Sequence, residues 1–339
     1  MLSEIGYRVE IIRDGGYFAD LDALDMPSID AKLDSDIHMS LSGRFAWSDV
    51  LQPFRDRLRL LLTLGGAEHR LGDFLIGTMR KESTDTGRVE MTLEAYDMCY
   101  LLQSTIIEAP VHLDKGTNYI TAIQGLLLDA GITLMLATTT TDVLQSDRED
   151  WEIGTSYLEI INELLSEISY QKLWFDATGY AILAPNVRAD ASNIQHRYGP
   201  RDTLIRLPAT RENDFFSAPN VFYLICENPD LEEPLTAISV NDSPSSQLSV
   251  IHRGRRIVEM TKLDNVASQT ALQDIADRMK LESMMRGEVA QVETQMEPWH
   301  GIGDIVAADH PLADGIWQET AWSVSGKTMR HTWQKLSFV

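Results

Sequence analysis

Apolar and polar residues alternate along most of the first hundred positions, which is the two-residue period of a β-strand. Residues 7–12 (YRVEII) alternate and precede the turn RDGG, and residues 38–47 (HMSLSGRFAW) alternate again. Residues 57–66 (RLRLLLTLGG) form a more apolar segment that ends in a glycine pair. A hairpin is predicted next, with GDFLIGTMRKES and GRVEMTLEAYDM around residues 83–87. Successive strands joined by short turns predict a barrel or a sandwich.

The pattern then changes to the period of α-helices. Residues 119–131 and about 155–168 each gather apolar side chains on one face, and Gly131 suits the C-cap of the first helix. These faces consist of Ile120, Ile123, Leu126, Leu127 and Ala130 in the first helix and Leu158, Ile161, Leu164, Leu165 and Ile168 in the second. Residues 172–185 (KLWFDATGYAILAP) predict two short strands around a turn. The middle of the chain is therefore predicted to be a small α+β unit.

The last third returns to strand-like segments after a polar, irregular stretch at about residues 186–217, which predicts a linker or long loop. The segments NVFYLICENP, PLTAISVND and QLSVIHRG are separated by Pro, Asn and Ser turns, which favours strands. A helix is predicted near residues 268–286, with a buried side made by Ala271, Leu272, Ile275, Ala276, Met279 and Met284. The strands EVAQVETQM, IWQETAWSV and TMRHTWQKLSFV follow.

One arrangement occurs twice. The segments LGDFLIG (residues 71–77) and IGDIVAA (residues 302–308) join Gly-Asp to an apolar run, and a hairpin with glycine and a basic residue at its turn follows each. Glycine can supply a positive φ while aspartate hydrogen-bonds the local backbone. We therefore predict structural turns, without a ligand, at Gly72, Asp73, Gly303 and Asp304. The fold class predicted by this duplication is α+β, mainly β, with two similar β-barrels and an α+β insertion.

The second copy lies within MEPWHGIGDIV, residues 296–306, which also resembles chemical motifs. A dinucleotide loop needs G-x-G-x-x-G before a helix, and here a strand follows. A metal site from His300, Asp304, Asp309 and His310 needs side chains that converge from alternating strand faces, so a polar rim is the simpler interpretation. No nucleophile elbow supports Ser/His/Asp catalysis. The sequence therefore predicts no cofactor.

The composition is that of a globular chain. The 339 residues are 44% hydrophobic and 24% charged, and this length is enough for two or three domains. No apolar run is long enough to span a membrane and no signal peptide is visible, so no membrane insertion is expected. Cys99 and Cys226 lie in apolar, strand-like segments, which predicts buried thiols in a reducing compartment.

The formal net charge of −22 argues against a protein that grips phosphate backbones, because such binding needs clustered Lys and Arg. It is compatible with a surface past which nucleic acid slides without sticking. A solvated acidic surface that keeps the chain soluble is the simpler interpretation.

The order of these segments resembles that of the tail-hub, or baseplate-hub, proteins of tailed bacteriophages and related contractile injection systems. Relatives include the late-control D type and the N-terminal part of the VgrG-type spike. The resemblance covers nearly the whole chain and rests on GDFLIGTMRKESTDTGRVEMTLEAYDMCYLL, ITAIQGLLLDAGI, GTSYLEIINELLSEISYQKLWFDATGYAIL, NDSPSSQLSVIHRGRRI and the long helix with the final GIGDIV strand. It implies tube-type β-barrel domains at residues 1–107 and 211–339, the second with the long helix, and an α+β insertion domain with linker at residues 108–210.

The resemblance also implies a non-enzymatic role at the tail tip or baseplate of the virion, with the chain in the host bacterial cytoplasm before assembly. A homotrimer would form a pseudo-sixfold ring that joins the sixfold tail tube to the threefold central spike. The implied partners are the tail-tube or distal-tail protein, the central spike protein, and baseplate wedge and tape-measure proteins, while DNA passes through without specific binding. By the two-residue period, Glu90 and Glu94 project away from Met91 and Leu93. We predict that this face, or its counterpart in the second barrel, lines the channel.

The chain departs from the spike relatives in two features. No lysozyme-like, peptidase-like or β-helical segment follows residue 339, and the His-x-His iron motif of spike tips is absent, so digestion and piercing are expected of other chains. The alternative function is a tail-associated peptidoglycan hydrolase that uses acids such as Asp176 or Glu227 in a cleft. Acidic residues are so common in this chain that their presence alone does not favour it.

Overall fold

The computed structural model describes residues 5–149, 151–186, 191–199, 206–212, 218–227, 234–244, 246–263, 265–285, 289–311 and 313–336. Strands account for 44% of the structure and helices for 17%, so the fold is mainly β, as predicted. The strands are β1 (Ile5–Arg13), β2 (Gly16–Leu21), β3 (Ser28–Lys32), β4 (Met39–Ala46), β5 (Arg57–Leu64), β6 (Ala67–Ser83), β7 (Val89–Tyr96), β8 (Met135–Ala137), β9 (Trp174–Phe175), β10 (Ala181–Leu183), β11 (Ile194–Tyr198), β12 (Arg206–Glu212), β13 (Val221–Cys226), β14 (Leu235–Val240), β15 (Val258–Leu263), β16 (Val289–Gln295), β17 (Ile305–Ala308), β18 (Gly315–Ser325) and β19 (Thr328–Lys335). The helices are α1 (Cys99–Ser104), α2 (Tyr119–Asp129), α3 (Tyr157–Glu167), α4 (Val250–Arg253) and α5 (Gln269–Met285).

Strands from both ends of the chain share one large sheet of thirteen strands. Its path is β12-β16-β19-β18-β3-β4-β7-β6-β5-β1-β2, with β17 beside β18 and β11 beside β17. The two halves meet where β18 pairs antiparallel with β3, for example Trp322 opposite Ala31. The last residues of β18 pair with β19 on one side and with β3 of the N-terminal half on the other, so the sheet runs on from one half into the next. The described strands form no closed barrel, and the two predicted barrels are not confirmed.

The hydrophobic core beneath this sheet also combines both halves of the chain. Trp322, Val324 and Met329 from β18 and β19 pack into the core that surrounds Phe45 and Leu60. Each large apolar side chain that is fully buried contributes about 1.5–3 kcal/mol. The junction between β18 and β3 is therefore held by side-chain packing as well as by backbone hydrogen bonds.

The middle of the chain forms the predicted α+β unit. Helices α2 and α3 pack against each other in one core with the small sheet β8-β10-β9. Asn118 and Ser156 cap their N-termini by accepting hydrogen bonds from the backbone N–H three residues later. Gly131 has a φ of 82°, which suits the predicted C-cap. None of the helices in the described ranges is long and apolar enough to cross a membrane.

A second small sheet, β14-β13-β15, lies apart from the large one and packs one face on α5. The predicted strands NVFYLICENP and PLTAISVND are confirmed as β13 and β14 of this sheet. The helix predicted near residues 268–286 is confirmed as α5. The strand predicted at QLSVIHRG is wrong, because residues 250–253 form helix α4. Ser249 caps its N-terminus by accepting from the N–H of His252, and Gly254 ends it with a φ of 62°. This local capping outweighs the apolar alternation.

The stretch that predicted a linker contains strands where the structure describes it. Strand β11 pairs parallel with β17, with Ile194 opposite Ile305, and β12 pairs antiparallel with β16. The polar composition misled the prediction because His196 and Tyr198 of β11 find hydrogen-bond partners inside the protein instead of in water. The rest of the predicted linker at residues 186–217 lies largely outside the described residues.

Both cysteines are buried, and neither forms a disulfide. Cys226 lies in β13, as predicted, whereas Cys99 begins helix α1 instead of continuing a strand. The Asp97 carboxylate accepts the N–H of Cys99 at 2.8 Å and so caps this helix start. Burial raises the pKa of the Cys99 thiol well above its usual value, so the thiol stays protonated and unreactive.

Candidate functional site

The described part of the C-terminal half contains a network of buried and partly buried histidines and carboxylates. It is assembled from β11, β16, the connection between β16 and β17, β18 and β19. Its members are His196, Tyr198, Thr294, Glu297, His300, Asp304, Glu319 and His331. Buried ionisable groups are retained only when they are paired and hydrogen-bonded, so this cluster is the strongest candidate for a site.

Glu319 stands at the centre of the network with its side chain fully buried. Its Oε2 contacts Nδ1 of His300, and its Oε1 contacts Nδ1 of His331. Burial alone would raise the pKa of this carboxyl, but the hydrogen bonds from the two histidines hold the pKa below its usual range. Glu319 is therefore an ionised carboxylate that faces two imidazoles.

The His300 ring is enclosed on its other side as well. Its Nε2 lies 3.1 Å from the Glu297 carboxylate and 2.8 Å from the Tyr198 hydroxyl, and its ring stacks on that of His196 with centroids 3.7 Å apart. Burial lowers the pKa of His300, but the hydrogen bonds and charges of Glu297 and Glu319 outweigh it and raise the pKa to about 9. This imidazole is held in a strongly negative environment.

His331 is oriented by a hydroxyl group of the neighbouring strand. Its Nε2 lies 2.8 Å from Oγ1 of Thr294, which is itself fully buried. The Thr294 hydroxyl donates its hydrogen to the carbonyl oxygen of Gln295 at 2.7 Å. The threonine oxygen is thus left to accept a hydrogen bond from the imidazole.

The Gly303–Asp304 turn closes one end of this network. Gly303 has a φ of 86°, and the Asp304 carboxylate accepts the N–H of Gly301 at 2.7 Å, which is the local geometry that the turn prediction describes. The same carboxylate also contacts Nε2 of His196 at 2.7 Å and thereby ties the turn to β11. Sequence reasoning missed this long-range contact.

The Gly72–Asp73 pair differs from the turn that was predicted for it. Both residues lie inside the continuous strand β6, at a bulge where the register shifts opposite Leu60. The Asp73 carboxylate binds Arg59 at 2.9 Å and Arg70 at 2.7 Å instead of its local backbone. A bulge accommodates the extra residue within the ladder, so no turn is needed here.

Glu90 and Glu94 lie on β7, and the neighbouring Met91 and Leu93 are buried on its opposite face. Glu90 is half-buried and lies 3.6 Å from the Arg44 guanidinium, while Glu94 is exposed and accepts from the Thr78 hydroxyl at 3.1 Å. The alternation agrees with the expected side-chain directions. That this face lines a channel stays a prediction.

The other acids and histidines named from sequence are placed differently. Among the described residues, His300 clusters with Glu319 and His331, not with Asp309 and His310. Asp176 closes its own turn by accepting from the N–H groups of Thr178 and Tyr180. It borders an open cleft of about 1960 Å³, whereas Glu227 does not and pairs with Lys262 at 3.1 Å. The two acids proposed for hydrolysis therefore do not share the cleft.

A signal for this network is present in the sequence, although the prediction did not use it. In β18 and β19 the alternation that buries Trp317 and Trp333 places Glu319 and His331 on the same buried side. Polar residues at inward positions of a strand are uncommon unless they have partners.

The overall fold is that of phage tail proteins whose structures have been solved. No family model matches the chain, and no curated protein sequence matches it. A tail protein from Neisseria meningitidis is 14% identical, covers 97% of both chains and gives a TM-score of 0.69. A 43 kDa prophage tail protein from Shewanella oneidensis is 10% identical, covers 97% of this chain and 98% of its own, and gives 0.67. At such identities the likeness establishes the fold.

An injection-system protein has a similar fold. It is a component of the type VI secretion system of Escherichia coli, described as structurally similar to phage T4 tail proteins. It is 8% identical, gives a TM-score of 0.54, and is matched over 94% of this chain and 74% of its own. The fold is thus found in phage tails and in a secretion system alike.

Proposed function

We propose that this protein is a structural, non-enzymatic component of a phage or phage-like tail, the hub of the tail tip or baseplate. The observation that carries the proposal is the end-to-end match of its fold to two solved tail proteins, over 97% of this chain in each case. A match of this extent includes both halves of the large sheet and the α+β insertion. A single motif shared by chance would not produce it. The proposed location is the virion, after assembly in the host bacterial cytoplasm.

The finer proposal is a homotrimeric ring that adapts the sixfold tail tube to the threefold central spike. Residues 1–107 and 211–339 would supply two tube-type units per subunit, and residues 108–210 the insertion. The open sheet supports this proposal, because β2 and β12 end its path and each pairs on one side only among the described strands. Strand β2 also exposes Tyr17 and Phe18. Unpaired edges with exposed aromatic residues are suited to subunit contacts.

The ring would surround a channel through which DNA passes without specific binding. The net charge of −22 supports this proposal, since DNA carries one negative charge about every 1.7 Å and a cationic wall would retain it. The proposed neighbours are the tail-tube or distal-tail protein, the central spike, and baseplate wedge and tape-measure proteins. The face of β7 that carries Glu90 and Glu94 is the proposed wall.

Assembly is tested by measuring the mass of the purified protein, alone and with its tail-tube and spike partners, and by imaging the particles. A trimeric ring is expected. The double variant Tyr17→Ser/Phe18→Ser should weaken the ring, because it removes apolar area from the β2 edge. Leu128→Ser is the matched control, as Leu128 is comparably exposed but lies on helix α2, outside the large sheet. A stable monomer in the presence of both partners contradicts the trimer.

The enzymatic alternative is tested by zymography on bacterial cell-wall material. We expect no clearing by the purified protein. Clearing that disappears in Asp176→Asn would overturn the non-enzymatic assignment, because that substitution removes the one proposed acid that borders the cleft.

A further inference from the structure

We propose that His300, Glu319 and His331 form a binding site for a divalent transition-metal ion such as Zn²⁺. The ligands would be Nδ1 of both histidines and the carboxylate of Glu319. This site goes beyond the proposed tail function and does not depend on it. The potential ligand atoms of the three residues all lie within 4.8 Å of one another, and all three side chains are fully buried. Two imidazole nitrogens and a carboxylate are donors that zinc accepts, and they leave the fourth position of a tetrahedral site to another ligand.

Thr294 fixes the direction in which the His331 ring nitrogen hydrogen points. The only hydroxyl hydrogen of Thr294 is donated to Gln295, so the Thr294 oxygen must accept from Nε2–H of His331. Nδ1 of a neutral His331 would then direct its lone pair at the Glu319 carboxylate. The Nδ1 lone pair of His331 and the Oε1 atom of Glu319 would then repel each other unless a cation lies between them.

Tyr198 and Glu297 orient the His300 ring in the same way. The Tyr198 hydroxyl donates its hydrogen to Glu297, so the Tyr198 oxygen and the Glu297 carboxylate both accept from Nε2–H of His300. Nδ1 of His300 faces the other oxygen of Glu319. Each neutral imidazole therefore directs the lone pair of its Nδ1 at the Glu319 carboxylate. A positive charge between the three groups would stabilise both contacts.

Two protons or one divalent ion could supply that charge. Two protons would make both rings imidazolium ions, and their centroids are only 4.7 Å apart, where like charges inside a protein repel strongly. A divalent ion would place the same charge at the centre, between its ligands. Its two charges would balance those of Glu319 and Glu297, so the buried site would be neutral. The ion would take the place of these two protons between the histidines and Glu319.

The hydrogen-bond partners of Nε2 in both histidines support the same assignment. Histidines that bind metals almost always donate their second N–H to an oxygen acceptor, which fixes the ring orientation and raises ligand basicity. Glu297 and Tyr198 do this for His300, and Thr294 does it for His331. The open cleft is bordered by His300 and Gly301, while Glu319 and His331 lie behind them without lining it. An ion bound here would join β18, β19 and the connection after β16.

The test uses the whole protein after chelation and dialysis, with ZnCl₂ added during a mild denaturant cycle so that the buried site can open. We expect one Zn²⁺ per chain by calorimetry and elemental analysis, with a higher Tm. Glu319→Gln and His331→Gln should abolish this stoichiometric binding. Thr294→Val should weaken it by about 10–100-fold. His112→Gln is the matched control, because His112 also contacts two carboxylates but is exposed, and its binding should be unchanged.

Three outcomes overturn the site: folded wild-type protein that takes up no stoichiometric ion, binding that survives in Glu319→Gln and His331→Gln, or binding that is lost in His112→Gln. Circular dichroism shows whether each variant is folded. If the two ligand variants do not fold, X-ray absorption of the zinc-loaded wild type decides. A zinc coordination shell with two imidazoles and carboxylate oxygen supports the site. A coordination shell without two imidazoles overturns it. None of these measurements depends on ring assembly, so failure here is distinct from failure of the tail function.

Discussion

Asp56 shows how one buried carboxylate organises the segment beside β1. Its side chain is fully buried and forms a two-point ion pair with Arg13, at 2.7 and 2.8 Å, while also accepting the N–H of Gln52 at 2.7 Å. Burial raises the pKa of Asp56, but these hydrogen bonds lower it by more, so the net pKa lies below the usual value. The charged form is thus stabilised by folding.

The variant Asp56→Asn should lower the free energy of unfolding by roughly 1.5–3 kcal/mol at neutral pH, because it removes the charge-assisted bonds to Arg13. A lowered folded pKa contributes stability that is complete above the unfolded pKa of about 3.9 and is lost as pH falls through the folded pKa. The difference from wild type should therefore be equal at pH 7 and pH 5 and shrink below about pH 4. Urea unfolding at several pH values measures it.

Asp25→Asn provides the control for this prediction. Asp25 also pairs with an arginine, Arg44, at 2.6 Å, but both side chains are more than half exposed. Its loss should change stability by less than about 1 kcal/mol. A difference for Asp56→Asn that persists unchanged at pH 3 would show that the ion pair is not its source.

At the scale of elements, α3 is joined to the preceding loop by a buried cation. Arg148 is 2% exposed and donates to Glu167 and Glu163, each at 2.6 Å, and the Tyr119 hydroxyl of α2 donates to Glu167 at 2.7 Å. Burial raises the pKa of Glu167 despite the opposing effects of Arg148 and Tyr119. The packing of α2 and α3 thus depends on the positive charge and hydrogen bonds that Arg148 and Tyr119 provide to the buried Glu167 carboxylate.

Arg148→Met should destabilise the protein by about 3–5 kcal/mol near neutral pH, because it leaves the buried Glu167 carboxylate without its main partner. The pKa of Glu167 should rise further. A raised folded pKa makes stability fall as pH rises above the unfolded value of about 4.3, so the variant should lose more stability at pH 8 than at pH 5. The double variant Arg148→Met/Glu167→Gln should recover stability at pH 8 and depend less on pH. A single variant without this pH dependence would refute the explanation.

At the scale of the whole molecule, the placement of negative charge is the property most directly tied to the proposed channel. The double variant Glu90→Lys/Glu94→Lys should leave folding nearly intact, since Glu94 is exposed and the 3.6 Å pair of half-buried Glu90 with the exposed Arg44 contributes little to stability. It should nonetheless slow genome release from assembled particles, because cationic side chains on the wall attract DNA phosphates. The delay should be largest near 0.01 M salt, where screening extends over about 30 Å.

A matched control separates this effect from a general change in charge. Asp114→Lys/Glu149→Lys alters the net charge equally, at exposed positions of the middle unit. It should leave release unchanged. Equal release kinetics for wild type and the β7 variant at low salt, in particles shown to contain the variant, would exclude this face as the channel wall.

The local elements were largely determined by sequence, because each depends on contacts between near neighbours. The helix predicted near residues 268–286 is α5, Gln269–Met285, and the hairpin around residues 83–87 joins β6 to β7. Side-chain periodicity and turn glycines act within a few residues, so they can be recognised without knowing the fold. The failures also have local causes, as with the Ser249 and Gly254 caps that convert a strand-like pattern into α4.

Tertiary structure alone decided how these elements combine. Strand β18 pairs with β17 and β19 of its own half and also with β3, nearly the whole chain away, and this last pairing joins the two halves. Likewise, His300, Glu319 and His331 come from three successive segments and meet only after β16, β18 and β19 align. Pairing and burial depend on which surfaces are left uncovered when all elements compete for partners. Which strands pair and which side chains are buried therefore depends on the whole folded chain. The two-residue and helical periods depend only on near neighbours and can be read from the sequence.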